Sequence, residues 1–216
     1  LGKTIFVGIM TPDTWLSLDR AIILASQSPR RKQLLAQMGF EFETVCPRLE
    51  DEQSFIDPSQ LEHSLCRLAE AKAASVSQDY PRHLVLGTDT VVVRDDAVLG
   101  KPQSRSEAEA MLRSLGAREH RVVSGVALLC QEANFCCSTT VSTVVAFGEI
   151  NERALQWYLD SGDYRDKAGS YGIQGSAMIF IQHIKGCFYN VVGLPVEATL
   201  SLFDTYCTTR KVREDG

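Results

Sequence analysis

Histidine is scarce in this chain: His63, His83, His120 and His183 are the only four, and none stands at metal-ligand spacing from another. A histidine-built metal centre is therefore not expected. The seven cysteines are odd in number, contain no C-x-x-C pair and include one adjacent couple, Cys136 and Cys137. That pattern argues against a disulfide framework or a zinc cage and for reduced thiols. Positive charge is not in excess, with 22 Lys and Arg against 27 Asp and Glu and a net charge of −5, so no overall field recruits a nucleic acid polymer or an anionic membrane. Any basic site must be local, which suits a small anion. Long apolar runs are missing too, since Val91 to Val93 and Val126 to Leu129 fall far short of the ~18 residues of a membrane span. Residues 1–20 contain Ile5 to Met10 but lack the charged start and long apolar centre of a secretory signal. They read as an extension with no assigned function, and a cytoplasmic setting is expected. Neither G-x-x-x-x-G-K-[ST] nor G-x-G-x-x-G occurs, which sets aside the common NTPase and dinucleotide frameworks.

What is present is an ordinary globular composition, 44% hydrophobic and 23% charged over 216 residues, enough to bury one sizeable core. The expected organisation is a single catalytic-type domain over 21–207, followed by a frayed tail at 208–216. Helix punctuation is clean. Ser28 precedes Pro29 and Gly39 follows Met38; Ser59 and Glu62 form a capping-box pattern after Pro58; a third helix starts near Ser104 or Ser106 and stops at Gly116; Asn151 and Gly162 bracket a fourth. Strands are predicted over Phe42 to Cys46, over Leu84 to Val93 with a polar turn into Val98 and Leu99, and as a hairpin of Val122 to Cys130 with Phe135 to Phe147. A second hairpin is predicted from Ala177 to Ile184 with Cys187 to Val192. Without a regular βαβ period, the pattern predicts an α/β fold with a mixed, twisted sheet flanked by helices. The polar stretch 47–60 is the expected mobile loop.

Chemistry-bearing residues fall at the ends of these elements. In "SQSPRR", Arg30 and Arg31 occupy the first turn of a helix, where unpaired N–H groups and the helix dipole already favour an anion. Two cations there oppose the dipole unless something negative sits among them, so the turn suits a phosphate held by Ser26, Ser28 and the forked guanidinium groups. Arginines pointing to water satisfy the same spacing equally. Asp89, inside the apolar strand "LVLGTDTVVV", is costly unless paired, hydrogen-bonded or bound to a metal. Gly87 beside it predicts a bulge or a close backbone approach. Asp89 is thus the first candidate for a general base or a Mg²⁺ ligand. A second acidic group, "RLEDEQ", contains Glu50, Asp51 and Glu52 at the end of a strand, although solvated loops carry such acids too. Lys101 in "LGKPQ" can reach a phosphate, as can many exposed lysines. In "DKAGSYGIQG", Gln174 offers the donor and acceptor needed to read a base edge, or is a surface residue of a glycine-rich loop.

Taken together, "LASQSPRRKQLL", "LGTDTVVV", "LGKPQ", "DKAGSYGIQG" and "NVVGLP" occur in the order and spacing of the Maf family of nucleoside triphosphate pyrophosphatases, which the chain resembles from about Ala21 to Leu202. The resemblance implies a fold related to inosine triphosphate pyrophosphatases, with two lobes around a deep cleft, and commonly a homodimer. It implies metal-dependent cleavage, with Mg²⁺ or Mn²⁺, of a nucleoside triphosphate to monophosphate and pyrophosphate, in a house-cleaning role. Ser28, Arg30 and Arg31 match the phosphate-binding motif, Asp89 the proton acceptor, and Lys101 the lysine of the G-K-P motif. Substrate selectivity falls on Arg30, Thr90 and Gln174, and the I-Q-G sequence resembles the branch acting on dTTP and UTP. The metal site implied is Asp89 with Asp51 or Glu50. Alternatives are the same chemistry on CTP or 7-methyl-GTP, or a nucleotide-binding regulator of cell division that does not hydrolyse.

Overall fold

The computed structural model describes residues 16–214, so the expected extension lies outside the described residues except for its last five positions. The apolar run Ile22–Ala25 is β1. It feeds α1 (Pro29–Gln37), which starts where the sequence predicts, with Ser28 at the N-cap and Pro29 inside the first turn. Gly39, at φ 85°, turns the chain back into β2 (Phe42–Thr44), which lies parallel to β1. Two tight turns, Gln53–Phe55 and Pro58–Gln60, then lead into α2 (Leu61–Ser77). The predicted Ser59 and Glu62 capping box does not form. Pro58 fixes the chain in a tight turn ahead of the helix, Asp57 caps that turn by accepting from the Ser59 N–H at 2.9 Å, and Glu62 instead pairs with Arg121.

The α2 crossover returns the chain to β3 (Leu84–Arg94), parallel to β1 on the side away from β2. β4 (Ala97–Leu99) folds back on β3. α3 (Arg105–Leu115) is capped by Ser104 and stops at Gly116. β5 (Glu119–Cys130) and β6 (Phe135–Phe147) form the long predicted hairpin. α4 (Glu152–Ser161) follows, with Asn151 accepting from the Ala154 N–H and Gly162 closing it at φ 71°. The second predicted hairpin is absent. Residues Ser176–Phe180 are a tight helical turn, β7 (Ile181–Lys185) pairs with β6, and Phe188–Val192 is a short helix, α5. A short apolar run does not distinguish strand from helix, and here the free edge of β6 captures the strand while Gly193, at φ 127°, ends the helix. The chain closes with α6 (Val196–Glu214), which continues past residue 208, where a tail was expected. Arg210 on this helix pairs with Asp19 at 2.8 Å, and Cys207 Sγ donates to the Leu16 carbonyl.

Among the described residues the sheet has seven strands in the order β2-β1-β3-β5-β6-β7, with β4 also on β3. It is therefore mixed and helix-flanked, as the sequence predicts. α2 covers one face, where Ile23, Val85, Ala73 and Val76 pack together. α1, α5 and α6 cover the other, where Leu24, Leu35, Leu86, Leu128 and Phe203 share one core. Pairing of β1 with β3 ends at Ala25 opposite Gly87, and β4 takes up that side of β3 only from Val92. Residues 88–91 are left without a strand neighbour on this side. A crevice thus opens at the carboxyl end of β1, the position where α/β sheets hold ligands.

Candidate active site

A cleft of about 850 Å³ fills this gap, lined by the α1 turn, the exposed stretch of β3, Lys101 and the 166–174 segment. That volume lies within the range of small-molecule sites. Ser28 has the extended backbone of an N-cap, but its hydroxyl caps nothing and no acid stands in the first turn. The positive end of α1 is therefore open toward the cleft. Ser26 is buried and accepts from the Ser28 N–H at 3.2 Å. Arg31 is locked by three bonds: Nε donates to the Gly193 carbonyl at 2.9 Å, and its terminal nitrogens donate to Ser26 Oγ and Thr90 Oγ1, each at 3.2 Å. Burial lowers the Arg31 pKa while the nearby Asp89 charge opposes that shift, and a guanidinium remains cationic throughout. Arg30 reaches across to Asp166 at 3.3 Å. Burial pushes the Asp166 carboxyl up, but Lys167 and Arg30 more than compensate and hold it below its ordinary value. Lys101 is exposed in the cleft and has no ion-pair partner among the described residues.

Asp89 sits on the α2 face of β3, and Thr90, one residue on, faces Arg31. The strand is not bulged, since the register runs unbroken through Asp89 opposite Gly125. Of the two expectations for Gly87, the close approach is the one realised: a Cβ there would stand 2.2 Å from the Ala69 carbonyl oxygen of α2. What comes down from that helix is Lys72, whose side chain is 6% exposed. Its Nζ donates to Asp89 Oδ1 at 2.6 Å and to Glu52 Oε2 at 2.8 Å. Among the described residues no hydrogen bond reaches Asp89 Oδ2. Of the acids expected at the metal, Asp89 lies in the cleft and the two loop acids do not. Asp51 is exposed and turned into its own loop, accepting from the N–H groups of Gln53 and Ser54 at 3.1 and 3.2 Å, and Glu50 is exposed outside the cleft lining. Glu52, the third acid of the stretch, is the one at the cleft.

Lys72 is a site residue outside the motifs singled out in the sequence, although the sequence carries a signal for it. It stands four residues after Leu68 and seven after Leu65, on the buried stripe of α2, where a charged residue demands a buried partner. No group of three or more His, Cys, Asp and Glu able to hold a metal occurs among the described residues. Asp89 and Glu52 nevertheless present an all-oxygen pair, and a hard cation such as Mg²⁺ is commonly held by one or two carboxylates with substrate phosphates and water supplying the rest. The residues present fit such an ion.

The 166–175 segment closes the cleft and carries Gln174, which is exposed at the wall. Behind it lies a buried aromatic cluster in which His120 meets Phe147 and Tyr171 edge-on, at centroid distances of 5.0 and 5.3 Å. Burial pushes the His120 pKa down to about 4. The unfolded chain therefore binds a proton that the folded state refuses over the interval from about pH 6.5 down to about pH 4, and stability is lost as pH falls through it. The loss amounts to about 3 kcal/mol. Melting curves should show this acid slope in the unaltered chain and its disappearance in His120→Gln.

The geometry defines a mixed-sheet α/β protein whose cleft gathers cations, an open helix N-terminus and a lysine-bridged pair of carboxylates. Residues 21–206 match the Maf-like protein family, and the chain belongs to it. Relatives named dTTP/UTP pyrophosphatase include that of Symbiobacterium thermophilum, 44% identical over 86% of this chain and 93% of its own. Those of Bacillus anthracis, at 42% over 82% and 91%, and Clostridium botulinum, at 40% over 84% and 94%, carry the same name. Among solved structures, a HAM1 protein from Coxiella burnetii aligns over 88% of this chain and 99% of its own, with 14% identity and a TM-score of 0.40. No helix among the described residues is long and apolar enough to cross a membrane.

Proposed function

We propose that this chain is a nucleoside triphosphate pyrophosphatase acting on dTTP and UTP, cleaving between the α- and β-phosphates to give the monophosphate and pyrophosphate. The observation that carries the proposal is the placement of Asp89, oriented by buried Lys72, in the same cleft as Arg30, Arg31, Lys101 and the uncapped start of α1. The names of the close relatives give the substrate. In this mechanism Arg30, Arg31 and Lys101 hold the β- and γ-phosphates, and the α1 N–H groups stabilise charge as it gathers on departing pyrophosphate. Arg30 exchanges Asp166 for a phosphate oxygen. Asp89 accepts through Oδ2 the proton of the water that attacks the α-phosphorus, while Oδ1 stays fixed by Lys72. A divalent cation held by Asp89 and Glu52 would neutralise phosphate charge and orient the triphosphate. Gln174 presents its amide to the base edge. A homodimer belongs to the same proposal, on the strength of the family resemblance.

Product analysis tests it. A panel of nucleoside triphosphates is incubated with Mg²⁺ or Mn²⁺, and phosphate is measured with and without added inorganic pyrophosphatase. Phosphate appearing only with the helper enzyme, and most for dTTP and UTP, is the expected result. Phosphate without the helper would place the cut at another bond, and none with any nucleotide would favour a non-hydrolysing binding protein.

A further inference from the structure

The 166–175 segment closes two backbone turns of its own, Ser170 N–H to the Lys167 carbonyl and Gly175 N–H to the Gly172 carbonyl, each at 3.0 Å, and is otherwise held by other elements. Gly169 and Ser170 are both left-handed, at φ 64° and 66°. For serine that conformation costs on the order of 1 kcal/mol, and such strain persists where the surroundings over-determine it. Two buried side chains do so here. Tyr158 of α4 donates from its hydroxyl to the Ser170 carbonyl at 3.0 Å. Tyr171, buried in its turn, lies with its hydroxyl 2.7 Å from His120 Nε2 at the start of β5. His120 is 3% exposed, and its Nδ1 has no partner among the described residues. Either tautomer of His120 makes the same Nε2–Oη bond, so the Tyr171 hydroxyl is tied to the start of β5 whichever atom donates. The far end of the segment is fixed separately, by Asp163 accepting from the Ser176 N–H at 3.1 Å. Between the two anchors stand Gly172, Ile173 and Gln174, all lining the cleft.

We infer that His120 is a positioning residue for nucleobase recognition: by fixing the Tyr171 hydroxyl it sets the register of the 172–174 wall, and with it the aim of the Gln174 amide. The inference rests on the pyrophosphatase reading. It gives a buried imidazole that touches no substrate a measurable part in selectivity. His120 reaches the base only through Tyr171, so either end of the hydrogen bond should matter equally.

The test is a cycle of full-length variants, His120→Phe, Tyr171→Phe and the pair together, each keeping the rings and removing the hydrogen bond. The ratio of kcat/KM for UTP over CTP is measured, with Gln174→Ala marking the loss when the amide itself is gone. Each single variant is expected to lose about tenfold in that ratio, through a higher KM for UTP with kcat preserved. The double variant should lose no more than either single one. His120→Gln, whose amide nitrogen falls near the position of Nε2, should keep the ratio, and it carries the test with Tyr171→Phe if His120→Phe does not fold. An unchanged ratio in folded variants, an equal loss on every nucleotide, or additive losses in the pair would overturn the inference. If the unaltered chain hydrolyses nothing yet binds UTP more tightly than CTP by calorimetry, the pyrophosphatase reading fails and the same cycle is read in Kd. If it neither hydrolyses nor discriminates, both fall.

Discussion

Asp89→Asn is expected to lower kcat on dTTP and UTP by on the order of 10³-fold, the range lost when a positioned general base is removed. Asparagine keeps the size of the side chain and an oxygen for Lys72 Nζ, now 2.6 Å from Oδ1, but it cannot take a proton from water. Binding of the triphosphate rests mainly on Arg30, Arg31, Lys101 and the α1 terminus, and the asparagine oxygen with Glu52 still offers a divalent cation two oxygen ligands. KM should therefore move little while kcat collapses, the signature of an interaction made in the transition state. Lys72 retains Glu52 at 2.8 Å, so a buried lysine is not stranded and the melting temperature should confirm a folded variant. Near-full turnover in a folded Asp89→Asn protein would remove Asp89 from the chemistry.

The second large effect is on stability. Gly125→Ala should destabilise the protein by about 3 kcal/mol, the upper part of the range for overpacking a tight interior. For a chain of this size that corresponds to a fall in Tm of about 10 °C. A Cβ at Gly125 would stand 2.2 Å from the Leu65 carbonyl oxygen and 2.5 Å from its carbon, and one at Gly87 would stand 2.2 Å from the Ala69 oxygen. These are backbone atoms of α2, one helical turn apart, so no rotamer change relieves the clash and the helix must lift. Lifting α2 also draws Lys72 away from Asp89. Gly125→Ala should accordingly lose turnover at temperatures well below its melting point. Gly100→Ala is the control, since a Cβ there meets nothing within 4 Å and its Tm should stay near that of the unaltered chain. A Gly125→Ala protein with unchanged Tm would mean that the helix does not rest on the sheet as described.

Much of the fold is written locally. Ser28 with Pro29, Ser104 with Gly116, and Asn151 with Gly162 each mark a helix end by residue type alone, and the β5 and β6 runs flank a short polar turn. Where the sequence misled, a distant partner decided. The run from Ala177 to Val192 alternates like a hairpin, but only Ile181–Lys185 finds a strand to pair with, and that strand is β6, more than thirty residues earlier. The acidic loop shows the same limit at the site. Glu50, Asp51 and Glu52 are chemically equivalent as a string, and Glu52 is selected because Lys72, twenty residues later, is held over it by α2. His120 gave no local signal, since its meaning comes from Tyr171, which lies 51 residues away.

The clasp between the two ends of the described chain bears on the order of events during synthesis. Leu16 and Cys207, joined at 2.6 Å, are 191 residues apart, and Phe40 stacks on Phe203 at a centroid distance of 4.8 Å. At ribosomal speeds of about 5–20 residues per second, α6 emerges roughly 10–40 s after β1. For that interval the emerging chain shows the ribosome's surroundings the apolar side of β1 and α1 without its lid. A nascent chain stalled before α6 should therefore bind holdase chaperones, and release of the last helix should end that association.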